Sequence, residues 1–310
     1  MKPRLAIRRR HLAYAALLVV LAFLFYNLSL GQVNAAMEKP MRRDPETGII
    51  VGAEARDLGP ADASRAALLV HGYVGCGRDF GQLPERLAER GWRVRVLLLP
   101  GHGTRARDLK KLNPDLLLDA VRKEYAALRA KHKTVALAGF SMGGSLSVLA
   151  AGETPPDALV LAAPYFGVTH RWYYGLRPET WAKALSGPVR WVYKGKLFLQ
   201  LNRRENADKL ISYPVLPTCS SVMLAKIGER AKAAEVLAAV KCPVLHIHSH
   251  NDMAASPLEA EKAFNQLGST DKRLVWLARS NHHIFWDYED EQVLTEILGF
   301  LQRFETPSAP

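Results

Sequence analysis

Short apolar runs that alternate with helical segments restrict the fold of this sequence more than any other feature. The runs are typical of strands and occupy residues 66–70, 92–99, 134–140, 158–163, 244–249 and 273–277. Most are apolar at consecutive positions, which indicates strands that are covered on both faces of a sheet. Segments between them, such as 113–128, place apolar residues at helical spacing. This alternation predicts an α/β fold with a mostly parallel sheet flanked by helices.

A glycine-flanked serine lies at one of the predicted strand–helix junctions. Residues 139–143 read G-F-S-M-G, between the strand 134–140 and a predicted helix of small residues at 141–151. A serine on such a sharp turn exposes its hydroxyl, and only very small neighbours avoid clashing with it. The pattern alone would occur by chance in roughly one chain in ten of this size, but rarely at such a junction. Ser141 is therefore the predicted nucleophile.

An acid and a histidine follow later strands, in the order that a serine nucleophile needs. Asp252 comes just after the strand 244–249, where a carboxylate that orients a histidine belongs, although a lone aspartate there suits a turn equally well. His282 follows the last strand. A neutral histidine takes the serine proton, and a carboxylate fixes its tautomer. Because His283 is adjacent, it is the alternative base.

The loop after the first predicted strand, 66–70, is expected to stabilise negative charge. Residues 71–73 read H-G-Y and have the position of an oxyanion loop. We expect the backbone N–H groups of Tyr73 and of Met142, the residue after the nucleophile, to contact the developing oxyanion. His71 precedes the contacting residue and is expected to be structural. The candidate substrate contacts are four aromatic side chains: Tyr73, Phe140, Tyr165 and Phe166.

One segment interrupts the alternation. Residues 165–215 hold three of the six tryptophans of the chain, together with several tyrosines and phenylalanines. This composition indicates an inserted helical cap. Most of its aromatic residues are expected to pack an additional helical layer, and a cap over an apolar acyl pocket would have the same composition.

The N-terminal residues are predicted to be a targeting or membrane-anchoring segment rather than part of the folded domain. Five cations precede the apolar run 12–26, and no acidic residue occurs before Glu38. The run is intermediate between a signal-peptide core of about 7–15 residues and a membrane span of about 17–25. The charge bias predicts a cytoplasmic N-terminus and an exported domain.

We expect residues 1–36 to be a retained single-span anchor in the inner membrane, with the catalytic domain on the periplasmic side. The alternative is a signal segment that is cleaved at the small residues 33–35, which would release the protein. Residues 37–64 are polar and rich in turn-forming residues, and are expected to be a linker with an edge strand at 48–53. Residues 65–310 are then the catalytic domain.

Composition excludes several classes of protein. An apolar content of 48% and a charged content of 23% are ordinary for a globular chain and exclude disordered and fibrous classes. Three cysteines exclude a disulfide framework, although a bond between Cys219 and Cys242 stays open. The net charge of +12 suits an anionic membrane surface. No stripe of cations interleaved with aromatics occurs, so no nucleic-acid partner is predicted.

A metal site is a minor alternative. His246, His248 and His250 alternate along one strand and would share a face with Asp252 nearby. A strand in this position is usually buried, and Asp252 already has a predicted role. We therefore predict neither a metal nor another cofactor.

Six segments carry a resemblance to a known superfamily: 68–75, 99–109, 135–146, 159–164, 243–252 and 280–287. They resemble the α/β-hydrolase superfamily, in the branch of small carboxylesterases and monoacylglycerol lipase or lysophospholipase-like serine hydrolases. The resemblance implies an α/β-hydrolase fold, a triad of Ser141, Asp252 and His282, an oxyanion hole at Tyr73 and Met142, and a cofactor-free acyl-enzyme mechanism. Two features depart from it: the N-terminal segment, and an asparagine at position 281 where glycine is common.

The expected function is hydrolysis of carboxylic esters through an acyl-enzyme on Ser141. The apolar cap and the predicted membrane-targeting segment favour acylglycerol, lysolipid or similar lipid-like substrates. Acyl transfer to an alcohol by the same triad, a non-catalytic binding role on the same fold, and metal-dependent hydrolysis are the alternatives. The oligomeric state cannot be derived from the sequence.

Overall fold

A computed structural model describes residues 3–195 and 199–305. Residues 1–2, 196–198 and 306–310 belong to the predicted anchor, cap and catalytic domain, and lie outside the described residues. The strands are β1 Arg56–Leu58, β2 Arg65–Val70, β3 Arg93–Leu97, β4 Thr134–Phe140, β5 Ala158–Ala162, β6 Trp191–Tyr193, β7 Val215–Pro217, β8 Val244–Ser249 and β9 Lys272–Leu277. The α-helices are α1 Pro3–Glu38, α2 Leu83–Glu89, α3 Pro114–Arg129, α4 Met142–Glu153, α5 Pro178–Leu185, α6 Thr218–Ala231, α7 Ala234–Ala239, α8 Pro257–Gln266 and α9 Asp290–Gln302.

The central sheet has seven strands in the order β1-β3-β2-β4-β5-β8-β9. The edge strand β1 is antiparallel to β3, and the other pairings are parallel. This is the predicted α/β-hydrolase architecture, with a mostly parallel sheet and helices on both faces. The six predicted strands all form, with ends that differ by a few residues or less.

Apolar side chains cover both faces of the sheet. Leu117, Leu146 and Ile227 pack on one face from α3, α4 and α6, and Leu83 and Ile297 pack on the other from α2 and α9. Burial of each such side chain contributes about 1.5–3 kcal/mol to folding. The sheet is therefore a rigid platform, and the carboxyl ends of its parallel strands carry the polar loops described below.

The predicted linker contains an edge strand, but at a different place. Residues 48–53 contribute only an isolated bridge between Arg43 and Ile50, and the edge strand of the sheet is β1. Gly48 and Gly52 adopt positive φ angles of 70° and 87°, which turn the chain and end any extended run there.

The predicted cap lies between β5 and β8. The predicted segment 165–215 contains α5 and β6, and β6 pairs with β7 at the C-terminal limit of the segment in a two-stranded antiparallel ribbon, so this segment is not purely helical as its composition suggested. Farther along, α6 and α7 pack on α4 and join the helical layer of the domain. Several large cap side chains are exposed, among them Trp172, Tyr173 and Trp181.

Helix α1 extends from the domain and is bound to it at one end. Its part from His11 to Glu38 is long and apolar enough to cross a membrane, a property shared by signal anchors and signal peptides. Asn27 donates to the carbonyl of Pro188 over 2.8 Å and accepts from the N–H of Arg190 over 2.6 Å. Glu38 accepts the N–H of Ala106 over 2.7 Å. The C-terminal third of the helix therefore contacts the cap and the loops beside it.

Candidate active site

Ser141 lies on a strained turn between β4 and α4. Its φ angle is +53°, a value that non-glycine residues rarely adopt and that is typical of functional sites. The backbone is fixed by neighbouring elements, since Ser141 donates its N–H to Ala162 and accepts one from Tyr165, both over 3.0 Å. The hydroxyl is thereby held above the carboxyl ends of the parallel strands.

The two glycines of the serine motif are required by close approach of backbone. A Cβ on Gly143 would lie 1.9 Å from the carbonyl oxygen of Val70, and one on Gly139 would lie 2.3 Å from the carbonyl oxygen of Gly143. Neither neighbour is a side chain that can move aside. The spacing that identified the motif in the sequence thus has a steric cause in the packing of α4 against β2 and β4.

His282 lies between the serine and the acid. Its Nε2 is 2.9 Å from Ser141 Oγ, and its Nδ1 is 2.7 Å from Asp252 Oδ2. In the tautomer that suits these contacts, Nδ1–H donates to the carboxylate and Nε2 accepts from the hydroxyl. The ring also packs 5.1 Å from the ring of Phe140. The structure therefore brings together the three residues that the sequence proposed as a triad.

Asp252 is held as an anion. Burial opposes ionisation of this carboxyl, but the attraction of His282, their mutual hydrogen bond and the N–H of Ala254 outweigh burial and lower the pKa. Its other oxygen, Oδ1, accepts the N–H groups of Ala254 and Ala255, each over 2.8 Å. An ionised carboxylate at this point can fix the orientation of the imidazole and stabilise its protonated form.

The alternating histidines of β8 do not converge on one point. His246 and His248 are buried and lie 3.4 Å apart through Nε2 and Nδ1, whereas His250 is exposed and stacks on Trp276. Within residues 3–195 and 199–305, no group of three or more His, Cys, Asp or Glu side chains is arranged to hold a metal ion. His248 instead contacts Asp252 at 3.4 Å, behind the candidate triad.

His283, the alternative base, has a different environment from His282. Its backbone N–H donates to the carbonyl of Gln200 over 3.1 Å. Burial, the neighbouring His282 and Lys194 lower the pKa of its imidazole well below the usual range. Its contacts do not include Ser141 or Asp252, so the geometry favours His282, which is also the histidine that the sequence favours.

Two backbone N–H groups beside Ser141 are available to a ligand. Those of Tyr73 and Met142 donate to no other group among the described residues. The N–H of Gly72, by contrast, donates to Asp79 Oδ2 over 3.0 Å. This contact fixes the loop that presents the Tyr73 N–H, and free N–H groups at such a site are the usual means of stabilising an oxyanion.

A cavity of about 440 Å³ opens above these groups. It is lined mostly by apolar and aromatic side chains, including Tyr73, Phe140 and Tyr165, with Ser141 and His282 at its base. Phe166 does not line it; this side chain packs in the core cluster that includes Met223 and Ile227. Three of the four predicted substrate contacts therefore face the cavity, and the fourth lies in the core.

The cysteines are free thiols. Cys219 is exposed, whereas Cys76 and Cys242 are buried, so the bond that the sequence left open between Cys219 and Cys242 is not formed. Burial, with Asp79 nearby, raises the pKa of the Cys76 thiol to about 12. That thiol is protonated at neutral pH and unsuited to act as a nucleophile.

Two buried histidines support the loops around the site in their neutral form. His71 donates Nδ1–H to the carbonyl of Gly72 and accepts the N–H of Leu99 at Nε2, over 2.8 and 3.0 Å. His102 donates to the carbonyl of Pro100 over 3.0 Å, and its Nε2 is buried without a hydrogen-bond partner among the described residues. Burial lowers the pKa of His71 to about 3 and that of His102 to about 4.

These histidines predict a loss of stability in acid. The pKa of His102 is about 4 in the folded protein, against an ordinary value of 6.5. The contribution of its neutral form to the free energy of unfolding is therefore complete above about pH 6.5 and is lost as the pH falls toward about 4. Between pH 7 and pH 5 we expect wild type to lose about 2 kcal/mol more unfolding free energy than a His102→Gln variant. Denaturant unfolding of both chains at both pH values measures this difference, and equal losses would contradict it.

Three polar residues at the site were not predicted from sequence. Asn281 accepts the N–H groups of His282 and Met253 over 2.9 and 3.0 Å, and so joins the histidine loop to the aspartate loop. This contact explains an asparagine where glycine is common. Asp79 and Lys194 line the cavity. An acidic residue after the oxyanion loop is visible in the sequence, but its burial and its contact with Gly72 are not.

Comparison with known proteins finds relatives over most of the chain. The model of the Hydrolase_4 family, described as serine aminopeptidase, S33, matches residues 61–289. The thermostable monoacylglycerol lipase of Bacillus sp. (strain H-257) is 29% identical over 237 residues, which are 76% of this chain and 90% of the lipase. A carboxylesterase of Bacillus subtilis (strain 168) is 22% identical over 243 residues, 78% of this chain and 94% of the esterase.

Solved structures show the same fold. One, from work on the metagenome-derived lipolytic enzymes LipS and LipT, superposes with a TM-score of 0.70 and 26% sequence identity, over 82% of this chain and 99% of that chain. The monoglyceride lipase of Saccharomyces cerevisiae superposes with a TM-score of 0.68 at 16% identity, over 82% and 92% of the two chains. The likeness therefore includes nearly the whole of each solved chain.

Proposed function

This chain belongs to the Hydrolase_4 (serine aminopeptidase, S33) family of α/β-hydrolases and is a carboxylesterase-type hydrolase, and from that premise we propose that it cleaves lipid-like carboxylic esters through an acyl-enzyme on Ser141. The observation that carries the proposal is the hydrogen-bonded series Asp252–His282–Ser141, with distances of 2.7 and 2.9 Å, at the base of a mostly apolar cavity. Relatives named as a monoacylglycerol lipase and a carboxylesterase support ester substrates.

In the first half of the reaction, Ser141 Oγ attacks the ester carbonyl carbon and its proton passes to His282 Nε2. The carbonyl oxygen becomes an oxyanion that accepts the N–H groups of Tyr73 and Met142. Asp252 stabilises the imidazolium through Nδ1–H. When the tetrahedral intermediate collapses, His282 returns the proton to the departing alcohol, and the acyl group stays on Ser141.

In the second half, water takes the place of the alcohol. His282 Nε2 accepts a proton from the water as its oxygen attacks the acyl carbon, and then returns that proton to Ser141 Oγ as the acid leaves. Both halves use the same oxyanion site. If an alcohol binds in place of water, the product is a new ester, which is the acyl-transfer alternative.

A panel of p-nitrophenyl esters and monoacylglycerols with acyl chains from short to long tests this function. We expect turnover by the full chain in detergent, with kcat/KM rising by at most about fourfold per methylene until the cavity is filled. Product analysis with an added alcohol distinguishes hydrolysis from transfer. Absence of turnover on every ester would contradict the proposal.

We propose further that helix α1 is retained in the mature protein as a membrane anchor, with the catalytic domain on the exported side. The cations before residue 11 support this orientation. Retention is supported by Asn34 and Glu38, which are buried, and by the contacts of Asn27 with the cap. Cleavage at residues 33–35 would remove Asn27 and disrupt the end of the helix.

Retention predicts that the mature protein has the mass of the whole chain. We expect it to stay in the membrane fraction after washing with alkaline carbonate, and intact-mass measurement to find the N-terminal helix. A soluble protein that begins near residue 36 would contradict retention. An Asn27→Ala variant is expected to remain membrane-bound with a lower melting temperature, because it loses only the contact with the cap.

A further inference from the structure

One lysine lines the same cavity as the candidate nucleophile. Lys194 follows β6 in the cap, and its side chain lines the same cavity as Ser141 and His282. Among the lining residues that the structure describes, Lys194 is the one lysine or arginine. Its backbone is fixed, because its N–H and that of Gly195 both donate to the carbonyl of Pro214, over 2.7 and 3.0 Å.

This ammonium group has no direct partner. Its Nζ makes no hydrogen bond and no ion pair within 4.0 Å to any residue of the described ranges. The side chain of Lys194 is half-buried, and an anionic ligand would compensate for the partial desolvation of its unpaired charge. Burial accordingly lowers the pKa of Lys194, against the attraction of Asp79.

Asp79 offers incomplete compensation. Its Oδ2 accepts the N–H of Gly72 over 3.0 Å, and a Cβ on Gly75 would lie 2.1 Å from the same oxygen. The carboxyl is thus enclosed by the oxyanion loop. Burial, opposed by the Gly72 N–H and by His282 and Lys194, raises the pKa of Asp79 to about 7, so this group is only partly ionised at neutral pH.

We infer that Lys194 is the centre of an anion-binding subsite in the active-site cavity, so that the preferred ester carries a phosphate or carboxylate group close to the bond that is cleaved. This inference rests on the proposed ester hydrolysis and specifies its substrate class. The ammonium would donate to an anionic oxygen of the substrate while the acyl chain contacts the apolar lining. A charge-assisted hydrogen bond of this kind is stronger than one between neutral groups.

The test compares esters that share one medium acyl chain and differ in their alcohol: acylglycerol phosphate, acyl glycerate and monoacylglycerol. The readout is the ratio of kcat/KM for each anionic ester to that for the neutral ester, measured with the full chain in uncharged detergent. We expect Lys194→Met to lower this ratio by about tenfold to a hundredfold, and Lys194→Arg to preserve most of it. The phosphate and carboxylate esters distinguish the two anions.

Lys226→Met is the matched control, because Lys226 is an exposed lysine on α6 outside the cavity. It is expected to leave the ratio at the wild-type value. An equal ratio in wild type and Lys194→Met would overturn the inference, while turnover of the neutral ester by both would leave the proposed function intact.

A binding measurement keeps the inference testable if no ester is turned over. Calorimetry with a non-hydrolysable ether analogue of the acylglycerol phosphate is expected to give a Kd about tenfold or more higher for Lys194→Met than for wild type. Equal Kd values would overturn the subsite, whatever the activity.

Discussion

Replacement of Ser141 by alanine is expected to lower kcat for ester hydrolysis by about four to six orders of magnitude. The variant removes the Oγ that lies 2.9 Å from His282 Nε2 and leaves no other hydroxyl in its place. The backbone strain at this position persists, because alanine must adopt the same positive φ angle. The measurement is turnover of the ester panel, together with covalent labelling by a fluorophosphonate, which we expect for wild type alone.

Ser145→Ala provides the control for this variant. Ser145 lies one turn farther along α4, is buried, and donates its hydroxyl to the carbonyl of Tyr165. Its loss is expected to lower stability by about 1 kcal/mol and to retain catalysis within about tenfold. Full activity of Ser141→Ala, or labelling of this variant by the fluorophosphonate, would show that the nucleophile is elsewhere and that the proposed mechanism is wrong.

The second large effect concerns the adjacent histidines. We expect His282→Gln to lower kcat by about four to six orders of magnitude, because glutamine cannot accept the serine proton. We expect His283→Gln to lower kcat by less than about tenfold, since this imidazole contacts neither Ser141 nor Asp252. Single-turnover and steady-state rates of both variants on one soluble ester measure the difference.

A comparison of stability accompanies this pair. His282 is buried and His283 is half-buried. We expect His283→Gln to lower the melting temperature while changing the rate little, and His282→Gln to lower mainly the rate. If His283→Gln were the inactive variant and His282→Gln the active one, the base would be the second histidine and the hydrogen bonds around Asp252 would serve only structure.

The core of the candidate site could be predicted because its parts are local in sequence. Ser141, Asp252 and His282 each follow a strand directly, and the parallel sheet brings the carboxyl ends of its strands to one edge. Because only glycine fits at positions 139 and 143, the turn around Ser141 also has a short motif that can be recognised in the sequence. That these residues lie at one edge of the sheet therefore follows from their places at the ends of parallel strands.

Other parts depend on contacts between residues that are distant in sequence. Lys194 reaches the cavity only because β6 pairs with β7 and positions the cap over Ser141. Phe166 is adjacent to Tyr165 yet points into the core, since the direction of each side chain is decided by how α6 packs beneath it. Composition predicted an aromatic cap, but it carries no information about which of its aromatic side chains face the substrate.

If α1 is the membrane anchor that we propose, its contact with the cap would link the catalytic cavity to the bilayer mechanically. Asn27 contacts the backbone on both sides of Val189, directly before β6, so a change in the tilt of the helix would be transmitted to the start of this strand. Immediately beyond, Val192 and Tyr193 form part of the cavity wall. An anchored helix adjusts its tilt to the thickness of the surrounding hydrocarbon. With α1 anchored as proposed, the width of the cavity, and with it the rate of the proposed hydrolysis, would depend on the chain length of lipids that are not themselves substrates.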